Sequence, residues 1–81
     1  MKWYLYILKC KDNSLYTGIT NNLEKRIWMH NHKEGAKSLK GKLPAVLVYK
    51  EEYSNQTEAA RRERIIKTWK REYKLKLIER A

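Results

Sequence analysis

The chain opens on a run of aromatic and aliphatic side chains that reads with a period of two, Trp3-Tyr4-Leu5-Tyr6-Ile7-Leu8-Lys9-Cys10. That spacing predicts a first strand from Trp3 to Cys10. Lys11-Asp12-Asn13 is a turn signal, and the short apolar stretch from Leu15 to Ile19, with Gly18 inside it, predicts a second strand. The loop length decides what the hairpin presents. A two-residue loop puts Tyr6 and Tyr16 on opposite faces. A loop at Lys11-Asp12-Asn13 pairs Cys10 with Ser14, Tyr6 with Gly18 and Leu8 with Tyr16, and so brings both tyrosines to one face. Asparagine tolerates the left-handed conformation that the third loop position needs, which favours the second register.

The period then changes. In Asn21-Asn22-Leu23-Glu24, Asn21 can cap a helix and Glu24 can reach back to it. The helix is expected to run to about His30, with Leu23 and Ile27 as its buried stripe and Arg26 and His30 side by side on the flank. Residues Asn31 to Lys42 are polar and read as a loop. After Pro44, the continuous apolar run Ala45-Val46-Leu47-Val48-Tyr49 predicts a third strand covered on both faces. Ser54-Asn55-Gln56-Thr57 opens a second long helix, with Glu58 near its positive end. Its apolar side is Ala59, Ile65, Ile66 and Trp69; Arg64, Thr68 and Arg71 lie opposite, and Glu63 falls at the seam. The tail is open between two readings. Tyr73, Leu75 and Leu77 fit a strand, whereas Trp69, Tyr73 and Leu77 fit a helix, which is favoured.

These elements predict an α+β fold: a small, mainly antiparallel three-stranded sheet flanked by helices, in the order ββαβα with a C-terminal helical extension. At 81 residues the chain is expected to be one domain spanning residues 1–81. With 42% hydrophobic and 35% charged residues it is too apolar for a disordered tail and too charged for a membrane span. Cys10 is the only cysteine, so no internal disulfide framework exists, which fits a reducing compartment. The apolar stretch from Trp3 to Leu8 is too short for a secretory signal, and a cytoplasmic location is expected.

Charge changes the picture most. Nineteen Lys and Arg face nine Asp and Glu, a formal net charge of +10. A basic domain of this size is drawn to a polyanion, through counterion release rather than sequence reading. Candidate phosphate contacts are Lys33, Lys37, Lys40 and Lys42 in the polar loop and Arg64, Lys67 and Arg71 on the second helix. Trp28 lies off the buried stripe of its helix and is the candidate to stack on a base. His30 and His32 are too few for a zinc site.

Cleaving a phosphodiester requires stabilised charge, a positioned nucleophile and a neutralised leaving oxygen. One carboxylate can hold Mg²⁺, an arginine can fork onto phosphate oxygens, and a tyrosine can pass protons. Taken singly, the residues of those types have plainer readings. A strand tyrosine is usually packing, Arg26 a solvated helix residue, and Glu63 can pair with Lys67 across one turn.

Their joint arrangement resembles the GIY-YIG nuclease superfamily. Tyr4-Leu5-Tyr6 stands where the family has its first tripeptide and Tyr16-Thr17-Gly18 where it has its second, with the tyrosines ten residues apart. Asn22-Leu23-Glu24-Lys25-Arg26 looks like the segment ending in the family's arginine, and Glu58-Ala59-Ala60-Arg61-Arg62-Glu63 is similar to the stretch that delivers its glutamate. The pattern is closest to small stand-alone bacterial members, which resemble the N-terminal nuclease domain of the excision-repair incision subunit. Tyr4 replaces the family's first glycine and Thr17 its second-motif isoleucine. Ile19 stands where excision-repair members often place a lysine, which removes one phosphate contact.

The resemblance implies Tyr6 as general base or its relay, Tyr16 as a second hydroxyl at the phosphate or attacking water, Arg26 as phosphate ligand with His30 assisting, and Glu63 as ligand of a single divalent ion, Mg²⁺ or Mn²⁺. It implies a metal-dependent endonuclease acting on nucleic acid, with DNA ahead of RNA, of structure-specific or repair type. A protein partner could supply target choice. The competing reading is a non-catalytic basic nucleic-acid-binding module on the same fold.

Overall fold

The computed structural model describes residues 2–32 and 44–80. In chain order these form β1 (Trp3–Lys9), β2 (Leu15–Thr20), α1 (Leu23–Asn31), β3 (Val46–Tyr53), α2 (Gln56–Lys67) and α3 (Arg71–Glu79). Among them the sheet is three-stranded and antiparallel in the order β2-β1-β3, so the first strand is central.

The hairpin has the odd-loop register. Tyr6 lies opposite Gly18 and Leu8 opposite Tyr16. Cys10 N–H donates to the Ser14 carbonyl at 2.9 Å, and Asn13 N–H to the Cys10 carbonyl at 2.9 Å. Asn13 takes the left-handed φ of 69°. The Asp12 carboxylate braces the turn, accepting from Ser14 N–H at 3.0 Å and Ser14 Oγ at 2.6 Å.

Strand alternation divides the core in two. On one face Leu5 and Ile7 pack on Ile66 of α2, and Val48, Tyr49, Tyr53, Trp69, Leu77 and Ile78 close around them. On the other, Tyr6, Leu8, Cys10 and Ala45 pack with Tyr16 and with Leu23 and Ile27 of α1. Thus α2 and α3 cover one face and α1 the other. Each fully buried Leu or Ile contributes about 1.5–3 kcal/mol.

Several elements depart from the sequence reading. The first helix is capped by Asn22, whose side chain accepts from Lys25 N–H at 3.1 Å, and not by Asn21. The reason is that β2 continues to Thr20, whose Oγ1 accepts from Asn22 N–H at 3.1 Å and so sets the helix start one residue later. The third strand is longer than the apolar run and lies at the sheet edge, with Val46 55% and Leu47 37% exposed, so it is not covered on both faces. Its pairing with β1 shifts between Ile7 and Leu8, after which it alternates through Tyr49, Glu51 and Tyr53. On α2 the buried positions are Ala59 and Ile66, seven residues apart, while Ile65 is 46% exposed. That helix stops at Lys67, so Trp69 lies in the link to α3 rather than on an unbroken helix. The tail is helical, as favoured.

Asn31 ends α1 instead of beginning the loop. Its Oδ1 accepts from Ala45 N–H at 2.7 Å and its Nδ2 donates to the Ala45 carbonyl at 3.0 Å, which fixes the return of the chain into β3. The loop candidates Lys33, Lys37, Lys40 and Lys42 lie outside the described residues.

Candidate active site

The central strand and α1 together make one polar cluster. Tyr6 comes from the middle of β1 and is 1% exposed. Its hydroxyl lies 3.0 Å from His30 Nε2, and Arg26 Nε donates to it at 3.4 Å. Arg26 and His30 are one helical turn apart and so reach the same phenol. Tyr16 completes the group, its ring centroid 6.3 Å from that of Tyr6 and 5.2 Å from that of His30, edge to face with the imidazole.

Gly18 makes this packing possible. It pairs directly with Tyr6, and a Cβ built there would stand 2.6 Å from the Tyr6 hydroxyl oxygen, 2.8 Å from Cζ and 3.2 Å from a ring carbon of Tyr16. The space a side chain would fill is taken by the two phenols.

The electrostatics follow from burial and from Arg26. Burial raises the Tyr6 pKa above 10.0; the hydrogen bond from Arg26 opposes the rise, and the neighbouring Tyr16 and, least of all, the charge of Glu63 add to it. His30 is 1% exposed, and burial followed by the nearby Arg26 charge lowers its pKa below 6.5. Both effects favour the neutral imidazole. The hydrogen bond to Tyr6 holds the Arg26 pKa above 12.5, with Tyr16 also adjacent to the guanidinium.

Four of the five sequence candidates thus converge: Tyr6, Tyr16, Arg26 and His30. His30 is fully buried rather than on the flank of its helix. Glu63 comes from α2 and makes no hydrogen bond to the other four. It pairs with Lys67 at 3.3 Å, with 23% of its side chain exposed, and lies within electrostatic reach of the Tyr6 phenol. Among the described residues no three His, Cys, Asp or Glu cluster into a metal cage. Arg64 and Arg71 are exposed, whereas Lys67 is engaged by Glu63. Trp28 is 54% exposed, but the His32 ring stacks on it at 3.9 Å and 14°.

A second polar group escaped the sequence reading. Glu51 accepts from the Tyr49 hydroxyl at 2.5 Å, the Tyr53 hydroxyl at 2.6 Å and Arg62 Nε at 3.0 Å. Burial alone would raise the Glu51 pKa, but hydrogen bonds from Arg62, Tyr49 and Tyr53 hold it below 4.5. The same burial and the Glu51 charge push both phenols up to about 12. This group ties β3 to α2 on the face away from Tyr6. The alternation Tyr49, Glu51, Tyr53 was its signal in the sequence.

Comparison with known proteins extends the picture. Residues 2–76 match the GIY-YIG catalytic domain. A UPF0213 protein of Staphylococcus haemolyticus is 59% identical over 78 residues, covering 96% of this chain and 95% of that protein. One of Clostridium perfringens is 59% identical over 75 residues, covering 93% and 81%. The solution structure of a UPF0213 protein from Bacillus halodurans is similar with a TM-score of 0.63 at 39% identity, over 98% of this chain and 84% of that one. A solution structure from E. faecalis has a TM-score of 0.67 at 30% identity with the same coverage.

Proposed function

Since the chain belongs to the GIY-YIG family, through its UPF0213 members, we propose that it is a divalent-metal-dependent endonuclease that hydrolyses phosphodiester bonds in DNA. The observation that carries this reading is that His30 and Arg26 both meet the Tyr6 hydroxyl, with the Tyr16 ring packed alongside and a glycine opposite that has no room for a side chain. A surface that only held phosphate would not need a phenol shared between a neutral imidazole and a guanidinium.

In this mechanism an incoming phosphate meets Arg26 and Tyr16, because Tyr6 lies behind them. Arg26 can only donate, so the Tyr6 oxygen accepts from it and the phenolic proton points at His30 Nε2. The attacking water passes a proton by way of the tyrosine hydroxyls to that nitrogen, with Tyr6 as relay rather than the group that touches water. The water oxygen bonds to phosphorus, the bond to the leaving sugar oxygen breaks, and that oxygen takes up a proton from solvent, while His30 later returns its proton to solvent. Arg26 stabilises the charge on the phosphate. Glu63 is the residue that would hold a hydrated Mg²⁺ or Mn²⁺, since such an ion needs only one or two carboxylates beside the substrate phosphate. Bound there, the cation would neutralise charge on the phosphate.

The test is incubation of the purified protein with Mg²⁺ or Mn²⁺ and with linear, nicked, branched and single-stranded DNA, and with RNA. Cleavage of at least one substrate that stops on chelation is expected. One observation favours a second reading, a non-catalytic nucleic-acid binder: Tyr6 is 1% exposed. Binding to every substrate with cleavage of none would establish that reading instead.

A further inference from the structure

Away from the candidate active site, α3 carries more apolar and aromatic surface than its packing uses. Leu77 and Ile78 close the core around Leu5 and Ile7, but Tyr73 is 51% and Leu75 37% exposed. Tyr73 is not alone. Trp69, Tyr73, Lys76, Leu77 and Arg80 line one groove of about 390 Å³, at the lower end of the range for small-ligand sites. Their spacing of four, three, one and three residues keeps them on one side of the chain through the α2–α3 link.

The groove has one braced wall and one exposed wall. Arg62 lies 5.3 Å above the Trp69 ring, and Glu51 holds Arg62 in turn. Trp69 is therefore positioned before any ligand arrives. On the other side Lys76 Nζ sits 5.6 Å from the Tyr73 ring centre. An exposed ammonium over a phenol is held weakly and is free to move to a stronger anionic partner. None of the lining residues is acidic.

We infer that this groove binds one nucleotide of a single-stranded nucleic acid, with the base stacked on Tyr73 against the Trp69 wall and Lys76 and Arg80 on the flanking phosphates. Aromatic faces interleaved with cations are what unpaired strands require, because every base offers a π-face and every linkage a charge. A duplex keeps its bases stacked and could use only the cations. The groove lies on the face covered by α2 and α3, whereas Tyr6 and Tyr16 face α1. It is thus a separate site, and its occupation does not depend on whether the chain cleaves anything.

The test is a titration of ¹⁵N-labelled protein with hexathymidylate in chelator at low salt. The Trp69 indole N–H and the amides of Tyr73, Leu77 and Arg80 are expected to shift together. The same shifts should appear in Arg26→Gln, which separates this groove from the candidate active site. Tyr73→Ala should weaken binding by roughly 5- to 150-fold, the range of one lost base–aromatic stack, and Tyr73→Phe should retain it. Lys76→Glu with Arg80→Glu should weaken binding and flatten its salt dependence without removing the aromatic wall, which guards against a folding defect in the alanine variant. Shifts confined to the surroundings of Tyr16 and Arg26, or equal affinity in Tyr73→Ala, would overturn the proposal, as would a duplex that moves the groove resonances as strongly as the single strand.

Discussion

The Tyr6 hydroxyl and His30 Nε2 lie 3.0 Å apart, across twenty-four residues of sequence, in a spot where both side chains are 1% exposed. The pair joins the central strand to the helix that covers it, so it contributes to the fold as well as to any proton path. Tyr6→Phe removes the shared hydroxyl and leaves His30 and Arg26 without that partner. We expect cleavage to fall by about 10²–10⁴-fold, the usual size of a general acid–base contribution. We expect stability to fall by about 0.5–1.5 kcal/mol, the net contribution of a typical hydrogen bond. Rates on a cleavable substrate and denaturant midpoints measure the two effects separately. A variant that is destabilised yet cuts as fast as the parent would leave the pair a packing contact only.

The acid limb follows from the same pair. The His30 pKa is lowered, by burial first and by Arg26 second. The folded state thus prefers neutral imidazole. Its contribution to stability is complete above the unfolded value of about 6.5 and is lost as pH falls through the lowered pKa. Cleavage should fall in the same direction, because a protonated Nε2 cannot accept from Tyr6. In His30→Gln the stability step below pH 6.5 should disappear, as followed by thermal midpoints from about pH 7 to 4.

Gly18→Ala tests the packing of the two phenols without touching a polar atom. The added methyl would lie 2.6 Å from the Tyr6 oxygen, far inside contact distance, and the ring is held by Arg26 and His30. Overpacking of this kind costs about 1–3 kcal/mol. We expect a lowered melting temperature and a larger loss of cleavage than stability alone explains, since the displaced oxygen is the shared one. Retention of the parent rate at a temperature where the variant is folded would count against that oxygen.

On the opposite face, the pKa values of Tyr49 and Tyr53 are pushed up to about 12 by burial and by Glu51. Their native hydrogen bonds need the neutral phenol. The stability they contribute is present below about pH 10 and is lost as pH rises towards 12. Alkaline unfolding followed by circular dichroism should show this step, and Tyr49→Phe with Tyr53→Phe should remove most of it. Glu51→Gln should lower stability by about 1–3 kcal/mol while leaving cleavage per folded molecule unchanged, because this network does not reach the candidate site.

That contrast marks where sequence reasoning reached and where it stopped. The hairpin register was legible because one loop residue, Asn13, could take the required left-handed φ, and the register fixes which tyrosines share a face. The grouping of Arg26 with His30 followed from helical spacing. The full burial of His30 did not, because it depends on the strand tyrosine beneath it. The end of β3 was lost because the strand was predicted from the apolar run, which stops at Tyr49 before the charged Lys50, Glu51 and Glu52. Only the fold supplies Arg62 and the two phenols that let Glu51 sit half-buried in a strand. Likewise Ile65 looked like core on a helical wheel, but α2 touches the sheet along the narrower line of Ala59 and Ile66.

The last prediction concerns Glu63 and Lys67. The two are paired at 3.3 Å across one helical turn, a contact worth only about 0.2–0.5 kcal/mol. If Glu63 exists to hold Lys67, removing either should do little beyond that. If Glu63 is the ligand for a divalent ion, Lys67 competes with the cation for the same oxygens, and the two variants should part company. Lys67→Ala should bind Mn²⁺ more tightly and reach full cleavage at lower metal concentration, even though it removes a positive charge from α2. Glu63→Gln should abolish cleavage while binding DNA in chelator as well as the parent or slightly better, since it removes a carboxylate that repels phosphate. Both should keep the parent's stability to within about 0.5 kcal/mol, as surface changes usually do. Mn²⁺ titration by relaxation enhancement, cleavage against metal concentration, and binding in chelator give three readouts that a structural ion pair would not move together. Equal cleavage in Glu63→Gln and parent would remove Glu63 as the ligand, and unchanged Mn²⁺ affinity in Lys67→Ala would show that the lysine does not guard it.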